Sequence, residues 1–242
     1  MRVVPDPRED DVPLPPAALR PGGPALQDDD RYLRFATESV EQLRRLVTLS
    51  SRTRLLDLGC GPGRLLIGLL REHVEFASYL GVDVDPAAVE WAGANLQARR
   101  PRIAFERVDV LNERYNRDGT SAVRLPVADR SRDVVTLFSV FSHMRLADVA
   151  QNLDEIARVL APDGKVVLTA FVEQGVPAET ENPEGYLTSW RGPLHCVRFD
   201  RHVLESMMHG AGFVVDAFAY RQHRGTQSIY VLRRRVDVQD AG

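Results

Sequence analysis

Lysine is almost absent from this chain: Lys165 is the only one among 31 basic residues, a bias that points to genome composition rather than to mechanism. Cysteine is nearly as scarce. Cys60 and Cys196 stand alone, which excludes a disulfide scaffold and fits a reducing compartment. Charge of one sign is lacking too, since a formal net charge of −3 provides no clearly basic face to meet nucleic-acid phosphates, and a nucleic-acid partner is not expected. No run is apolar enough to span a bilayer, and the N-terminus has neither the basic nor the apolar region of a signal peptide. A cytoplasmic protein with no membrane span is therefore expected.

What is present suits a globular enzyme. The chain has 242 residues and a hydrophobic content of 44%, enough for one sizeable core. Residues 1–30 differ from the rest, with seven prolines and seven acids against three arginines. Such a segment predicts a flexible acidic arm, with a lid over a bound ligand as its functional form. From Asp28 the pattern becomes helical, with Leu33, Val40, Leu43, Leu46 and Val47 on one face. Residues 31–242 then read as one domain.

The most informative stretch is Leu55-Leu56-Asp57-Leu58-Gly59-Cys60-Gly61-Pro62-Gly63, a short apolar strand running into a turn that glycine permits. An apolar helix from Arg64 to Leu70 follows, its free N-terminal amides suited to a ligand at the turn. A generic strand-to-helix connection would need no such glycine density. The dinucleotide fingerprint G-x-G-x-x-G is the serious rival, but here the spacing is G-x-G-x-G, and Asp57 stands two residues ahead. An acid is awkward beside a pyrophosphate and favourable beside an ammonium group. A second strand, Tyr79 to Val82, ends in Asp83, placed to hold a ribose diol. A third, Ile103 to Val108, ends in Asp109.

Downstream, Pro86 to Arg100 reads as a crossover helix and Asp133 to Ser139 as the fourth strand. The helix carrying Leu146, Val149, Leu153, Ile156 and Leu160 is stopped by Pro162-Asp163-Gly164, and Lys165 to Val172 is a fifth strand. Residues 173–198 form a long irregular insertion rich in glycine and proline. A helix from Arg201 to His209, capped by Asp200, precedes strands Phe213 to Tyr220 and Ser228 to Arg235. The fold class expected is α/β, a Rossmann-like doubly wound sheet of about seven strands with the last strand antiparallel. A nicotinamide-binding sheet would normally close with another parallel unit.

With the D-x-G-x-G-x-G motif at Asp57 to Gly63 and strand-end acids at Asp83 and Asp109, the chain resembles the class I S-adenosylmethionine-dependent methyltransferases over roughly residues 35 to 235. The resemblance implies S-adenosylmethionine as cofactor and S-adenosylhomocysteine as product. It places Asp57, with Gly59, Gly61 and Gly63, near the methionine part, Asp83 on the ribose hydroxyls and Asp109 on the adenine amino group. Val110 and Phe138 complete the cofactor set.

The resemblance also puts the chemistry just beyond the fourth strand, in Phe138 to Met144, with His143 as the base that takes a hydroxyl proton; a residue that only orients substrate is the plainer reading. His195 could share or take over that role. The acceptor is expected to be framed by the insertion through Glu173, Tyr186, Trp190, Arg191, His195 and Arg198, with Trp190 either stacking on a sugar ring or packing the insertion down. No histidine pair or carboxylate cluster has metal-ligand spacing, so no metal is assigned, although Glu173 is placed to help hold a divalent ion.

The S-V-F-S-H-M segment resembles bacterial sugar O-methyltransferases, including those of mycobacterial methylated-mannose polysaccharide synthesis. This implies a sugar or oligosaccharide acceptor of mannoside type. The alternatives are a small-molecule or lipid-quinone methyltransferase and a non-catalytic subunit that binds S-adenosylmethionine. The partner classes left are a small-molecule or oligosaccharide acceptor and, in a homodimer, a second copy of this chain.

Overall fold

The computed structural model describes residues 12–97, 100–120 and 123–235 and divides into two compact units, Met1–Arg107 and Val108–Gly242. In the first, helix α1 (Asp29–Leu46) begins where Asp28 accepts a hydrogen bond from the Arg31 amide; Asp29 and Asp30 open it, and Arg44 and Arg45 close it. That charge order complements the helix dipole. Its buried face, Tyr32, Ala36, Val40 and Leu43, packs on α2 (Arg64–Arg71). Gly68 makes the approach possible: a Cβ there would stand 2.6 Å from the Ala36 carbonyl oxygen.

Strands β1 (Arg54–Leu58), β2 (Ser78–Asp83) and β3 (Ile103–Arg107) lie parallel in the order β3-β2-β1. Their register opposes Asp57 to Gly81 and Asp83 to Arg107. The crossover helix expected to reach Arg100 is shorter. Helix α3 (Pro86–Ala92), capped by Asp85, gives way to a π-turn over Gly93–Gln97. There the Gln97 side chain leaves the helix pattern to accept from the Phe105 amide at 3.1 Å.

The arm expected at residues 1–30 lies outside the described residues as far as position 11. From Val12 the chain is laid down in order, with Val12 and Leu26 buried. Arg20 organises it. The guanidinium donates to the carbonyls of Pro15 and Gln27, pairs with Asp29 at 2.6 Å and lies 4.8 Å over the Tyr32 ring. In this proline- and acid-rich segment one buried arginine gives the carbonyls of Pro15 and Gln27 a common partner.

The second unit holds β4 (Arg132–Leu137), a 3-10 turn over Phe141–His143, α4 (Leu146–Val159), β5 (Leu160–Glu173), β6 (Glu179–Glu181), β7 (Val197–Asp200), α5 (Arg201–Gly210), β8 (Phe213–His223) and β9 (Gln227–Arg234). Strand β5 runs parallel to β4, and its register jumps from Arg132↔Leu160 to Val134↔Lys165 as Ala161–Gly164 bulge out. Thus Pro162-Asp163-Gly164 interrupts a strand edge instead of ending the helix. Strand β9 is antiparallel to β5, and β8 is antiparallel to β9. The α/β class and the antiparallel last strand are as the sequence reading has them.

The described residues form nine strands, the expected seven or so together with β6 and β7 of the insertion. The end of β5, Phe171–Glu173, pairs with β7, and β7 pairs with β6. Asn182 ties the intervening loop: its amide donates to the Cys196 carbonyl, its Oδ1 accepts from the Cys196 amide and its Nδ2 donates to the Gly192 carbonyl.

Candidate functional site

In the first unit, the turn after β1 is held by its neighbour strand. The amides of Gly59 and Cys60 both donate to the Val82 carbonyl, and Gly63 donates to the Cys60 carbonyl. Gly63 is left-handed at φ 86° and caps α2, and a Cβ there would stand 2.5 Å from Leu96 Cδ1. Only glycine meets both demands.

Asp83 closes the turn by accepting from the Gly61 amide at 2.7 Å and the Asp85 amide at 3.0 Å. Burial raises its pKa against the lowering by those amides. Asp57, 3% exposed, accepts from the Tyr79 hydroxyl at 2.8 Å. Nearby, Tyr32 is fully buried with a hydroxyl lacking any hydrogen-bond partner. Its pKa is pushed up to about 12, chiefly by burial, with Arg64 pulling the other way.

This donor and acceptor set fits a nucleoside with an amino-acid end. Asp83 keeps lone pairs beyond its two backbone bonds for a diol. Asp57 is a carboxylate of the kind an ammonium group would need, and Arg64 with the Tyr32 hydroxyl, unpartnered among the described residues, are donors of the kind a carboxylate would need. Cys60 is buried and its thiol is pushed up by burial first and by Asp83 and Asp57 next, so it is a packing residue and not a nucleophile.

The second unit holds the remaining candidates. Asp109 is exposed and accepts from Asn116 Nδ2 at 3.2 Å and the Thr120 hydroxyl at 3.4 Å. The Val110 carbonyl takes a second Asn116 bond at 3.0 Å. Gly119 lies so close that a Cβ would collide with the Val110 carbonyl group. Phe138 is buried and stacks on His223 with ring centroids 5.6 Å apart. Ser139 follows in the left-handed region at φ 63°. Its amide is taken by Thr169, whose hydroxyl donates to Gln227 at 2.6 Å.

His143 is clamped from two sides. Its Nδ1 lies 2.8 Å from the Leu194 carbonyl oxygen, a contact that only a protonated Nδ1 can make favourably. The other ring nitrogen, Nε2, is then the acceptor in the neutral ring. On the opposite side Asn112 Nδ2 donates to the His143 carbonyl at 3.0 Å, and the Tyr115 ring stands edge-on at 5.5 Å. Burial, with the charges of Arg114 and His195, lowers its pKa to about 4 against the raising by backbone carbonyls. Leu194 is itself left-handed at φ 47°, costly for a branched side chain. Its amide is fixed by Glu181 at 2.8 Å.

The insertion residues meet one another. Glu173 accepts from Tyr186 at 2.9 Å, Tyr220 at 2.7 Å and Arg221 at 2.5 Å. Burial alone would raise its pKa, but these donors outweigh it and lower it. Tyr186 is buried with Phe171 and Cys196, and Trp190 packs against them. The Trp190 indole donates to the Tyr186 carbonyl at 2.7 Å, and its ring is edge-on to Phe171 and His195.

Glu173 and Tyr186, expected to meet the acceptor, hydrogen-bond to each other, and Glu173 also accepts from Tyr220 and Arg221 of β8. Trp190 takes the packing role, with part of its surface open. His195 Nδ1 is occupied by the Arg191 backbone. Arg198 lies 5.2 Å over the Tyr186 ring. Among the described residues no group of three His, Cys, Asp or Glu side chains is placed to hold a metal ion, and no helix is long and apolar enough to cross a membrane.

Sequence reasoning missed Tyr32 and Tyr79 in the first unit and the segment Asn112 to Tyr115 in the second. The last left a signal, the turn-forming Asn112, Asn116 and Gly119 between a strand end and Leu125.

A family model described as a methyltransferase domain matches residues 30–217. The methyltransferase GfsG of Streptomyces halstedii is 30% identical over 153 residues, 62% of this chain and 49% of that protein. The demethylmenaquinone methyltransferase of Thermus thermophilus is 31% identical over 145 residues, 59% of each. The chain thus spans about half the length of the curated relatives it matches. Among solved structures, the glycopeptide N-methyltransferase MtfA complexed with S-adenosylmethionine is similar with a TM-score of 0.60 and 15% identity, over 82% of this chain and 93% of that one. An S-adenosylmethionine-dependent methyltransferase from Mesorhizobium loti gives 0.57 and 17%, over 80% and 96%. At such identities the likeness is one of fold.

Proposed function

We propose, for a chain that belongs to the class I S-adenosylmethionine-dependent methyltransferase family, that it moves a methyl group from S-adenosylmethionine to a hydroxyl of a sugar or oligosaccharide. The observation that carries the oxygen acceptor is His143, neutral and fixed in one tautomer by the Leu194 carbonyl. The sulfonium of the cofactor supplies a methyl group activated for displacement.

In this reading each residue has a separate task. Asp57 meets the ammonium end, Asp83 the ribose diol and Asp109 the adenine amino group, with the glycine turn giving close backbone approach; Val110 and Phe138 add apolar surface. His143 accepts the acceptor's hydroxyl proton at Nε2 as the carbon–oxygen bond forms. Positioning supplies about 7–11 kcal/mol of barrier lowering in well-oriented cases, and a placed base about 10²- to 10⁴-fold in rate. Trp190, His195 and Arg198 frame the acceptor from the insertion, a mixture of aromatic face and hydrogen-bonding groups that suits a polyhydroxylated ring. A base in a buried, clamped position is of little use to a non-catalytic binding subunit.

The second reading is a small-molecule or quinone-ring acceptor, favoured by the similarity to a demethylmenaquinone methyltransferase. A by-product assay separates the two. The protein is incubated with S-adenosylmethionine and a panel of mannosides, other sugars, phenols and quinols, and S-adenosylhomocysteine is quantified. Turnover on sugars alone supports the first reading, and turnover on phenols or quinols replaces it with the second.

A further inference from the structure

Several arginines of the second unit are held by carboxylates. Arg145, Arg158, Arg201 and Arg221 each pair with a glutamate at 2.5 to 2.9 Å. Arg114 and Arg198 have no carboxylate partner among the described residues, and the Nε of each, like that of Arg221, is buried without a hydrogen bond to a described residue. Arg198 donates to the Thr180 hydroxyl at 3.3 Å and lies on Tyr186, which carries Glu173, so a negative charge already stands close by. Arg114 has no such compensation. Among the described residues its guanidinium makes one hydrogen bond, a long one of 3.5 Å to the Pro193 carbonyl, and it lies 5.4 Å over the Tyr115 ring.

Both neighbours belong to the clamp on His143. Tyr115 stands edge-on to the imidazole, and Pro193 precedes the residue whose carbonyl holds Nδ1. The carboxylates around this clamp are committed elsewhere. Glu113 faces Arg145 at 3.6 Å, Glu181 serves Arg145 and the Leu194 amide, and Glu173 serves Arg221 and two tyrosines. A planar, partly exposed fork of donors beside the base is therefore left without a carboxylate among the described residues. The chemistry that matches such a fork is an oxyanion gripped in bidentate fashion.

We propose that Arg114 is the residue that binds an anionic group of the acceptor, so that the substrate class is a hydroxyl compound carrying a carboxylate or phosphate. Arg114 takes the oxyanion through the N–H groups of its terminal nitrogens, Nη1 and Nη2, while the hydroxyl to be methylated lies toward His143. The inference rests on the reading of His143 as the residue that meets the acceptor.

The test is calorimetric and uses the full chain loaded with S-adenosylhomocysteine, for wild type, Arg114→Met and Arg114→Lys. Binding of S-adenosylhomocysteine itself is measured first. Equal affinity in all three shows that the variants are folded, and failure to bind in the wild type counts against the cofactor reading alone. The loaded proteins are then titrated with two matched series. The first is methyl glucoside, methyl glucuronide and glucose 6-phosphate; the second is 4-hydroxybenzyl alcohol and 4-hydroxybenzoate.

In at least one series the anionic member binds the wild type about tenfold or more tighter than its neutral partner. The carboxylate and phosphate arms distinguish the two sources of charge. The preference vanishes in Arg114→Met, survives in part in Arg114→Lys and shrinks as salt is raised. Equal binding of neutral and anionic members in both series, no binding by any anionic member, or a preference that persists in Arg114→Met overturns the proposal.

Discussion

His143 concentrates the chemistry of the account in one side chain, and its environment fixes how it responds to pH. In the unfolded chain it titrates near 6.5, and in the folded chain near 4 because burial disfavours the charged ring. Between those values the unfolded chain binds more protons. The associated stability is therefore present above about pH 6.5 and is lost as pH falls toward 4, by about 3 kcal/mol at most. Urea unfolding of wild type and His143→Gln at pH 7 and pH 4.5 should show a larger loss in the wild type. Equal losses would remove the claim that the buried ring is neutral.

Turnover follows the same logic. The acid limb of kcat/KM is expected near pH 4 to 5 and not near 6.5, and His143→Ala should lower kcat by about 10²- to 10⁴-fold while S-adenosylhomocysteine binding is retained. Asp83→Ala should abolish that binding, and calorimetry on this variant checks the ribose assignment. At this scale Asp57, Asp83, Asp109 and His143 were singled out in the sequence as proposed site residues because an ionisable residue at or just beyond a strand end has few chemical uses. Tyr32 and Tyr79 were not, since a tyrosine on an apolar helix face or strand reads as core until its hydroxyl is seen. Glu173 and Tyr186 carry a related ambiguity: polar side chains in an insertion satisfy one another as readily as they meet a ligand.

Elements carry the next level of constraint. The helix after the glycine turn starts only because Gly63 adopts φ 86° against Leu96 and Phe105, so Gly63→Ala should lower stability by about 1–3 kcal/mol and weaken cofactor binding, read by denaturation and calorimetry. The Asn112 turn is the corresponding device in the second unit. Its Oδ1 accepts from the Arg114 and Tyr115 amides while its Nδ2 holds the His143 carbonyl. Asn112→Ala is expected to reduce kcat about tenfold by loosening the base, with the KM for S-adenosylmethionine unchanged. A raised KM with normal kcat would show that the turn serves cofactor binding instead.

The regular elements were legible from apolar periodicity and caps, with Asp28 and Asp200 each marking a helix start. The pairing of β5 with β7 was not, because Val197–Asp200 is four residues long and its partner lies over twenty residues away in sequence. Neither was the order in residues 12–30, which hangs on Arg20.

For the whole molecule, the fold class followed from the alternation of helix and strand and from the closing hairpin, features that any sequence of this pattern shares. The acceptor did not follow, because it is chosen by loops whose shape depends on contacts between distant residues, such as Leu194 with His143. The central claim is transfer of a methyl group from S-adenosylmethionine to oxygen, and the most direct measurement is mass spectrometry of both products from one incubation with the acceptor panel. The account predicts S-adenosylhomocysteine and an O-methylated sugar in equal amounts, both lost in His143→Ala. S-adenosylhomocysteine matched by a carbon-methylated ring, or none formed with any hydroxyl acceptor, would contradict it.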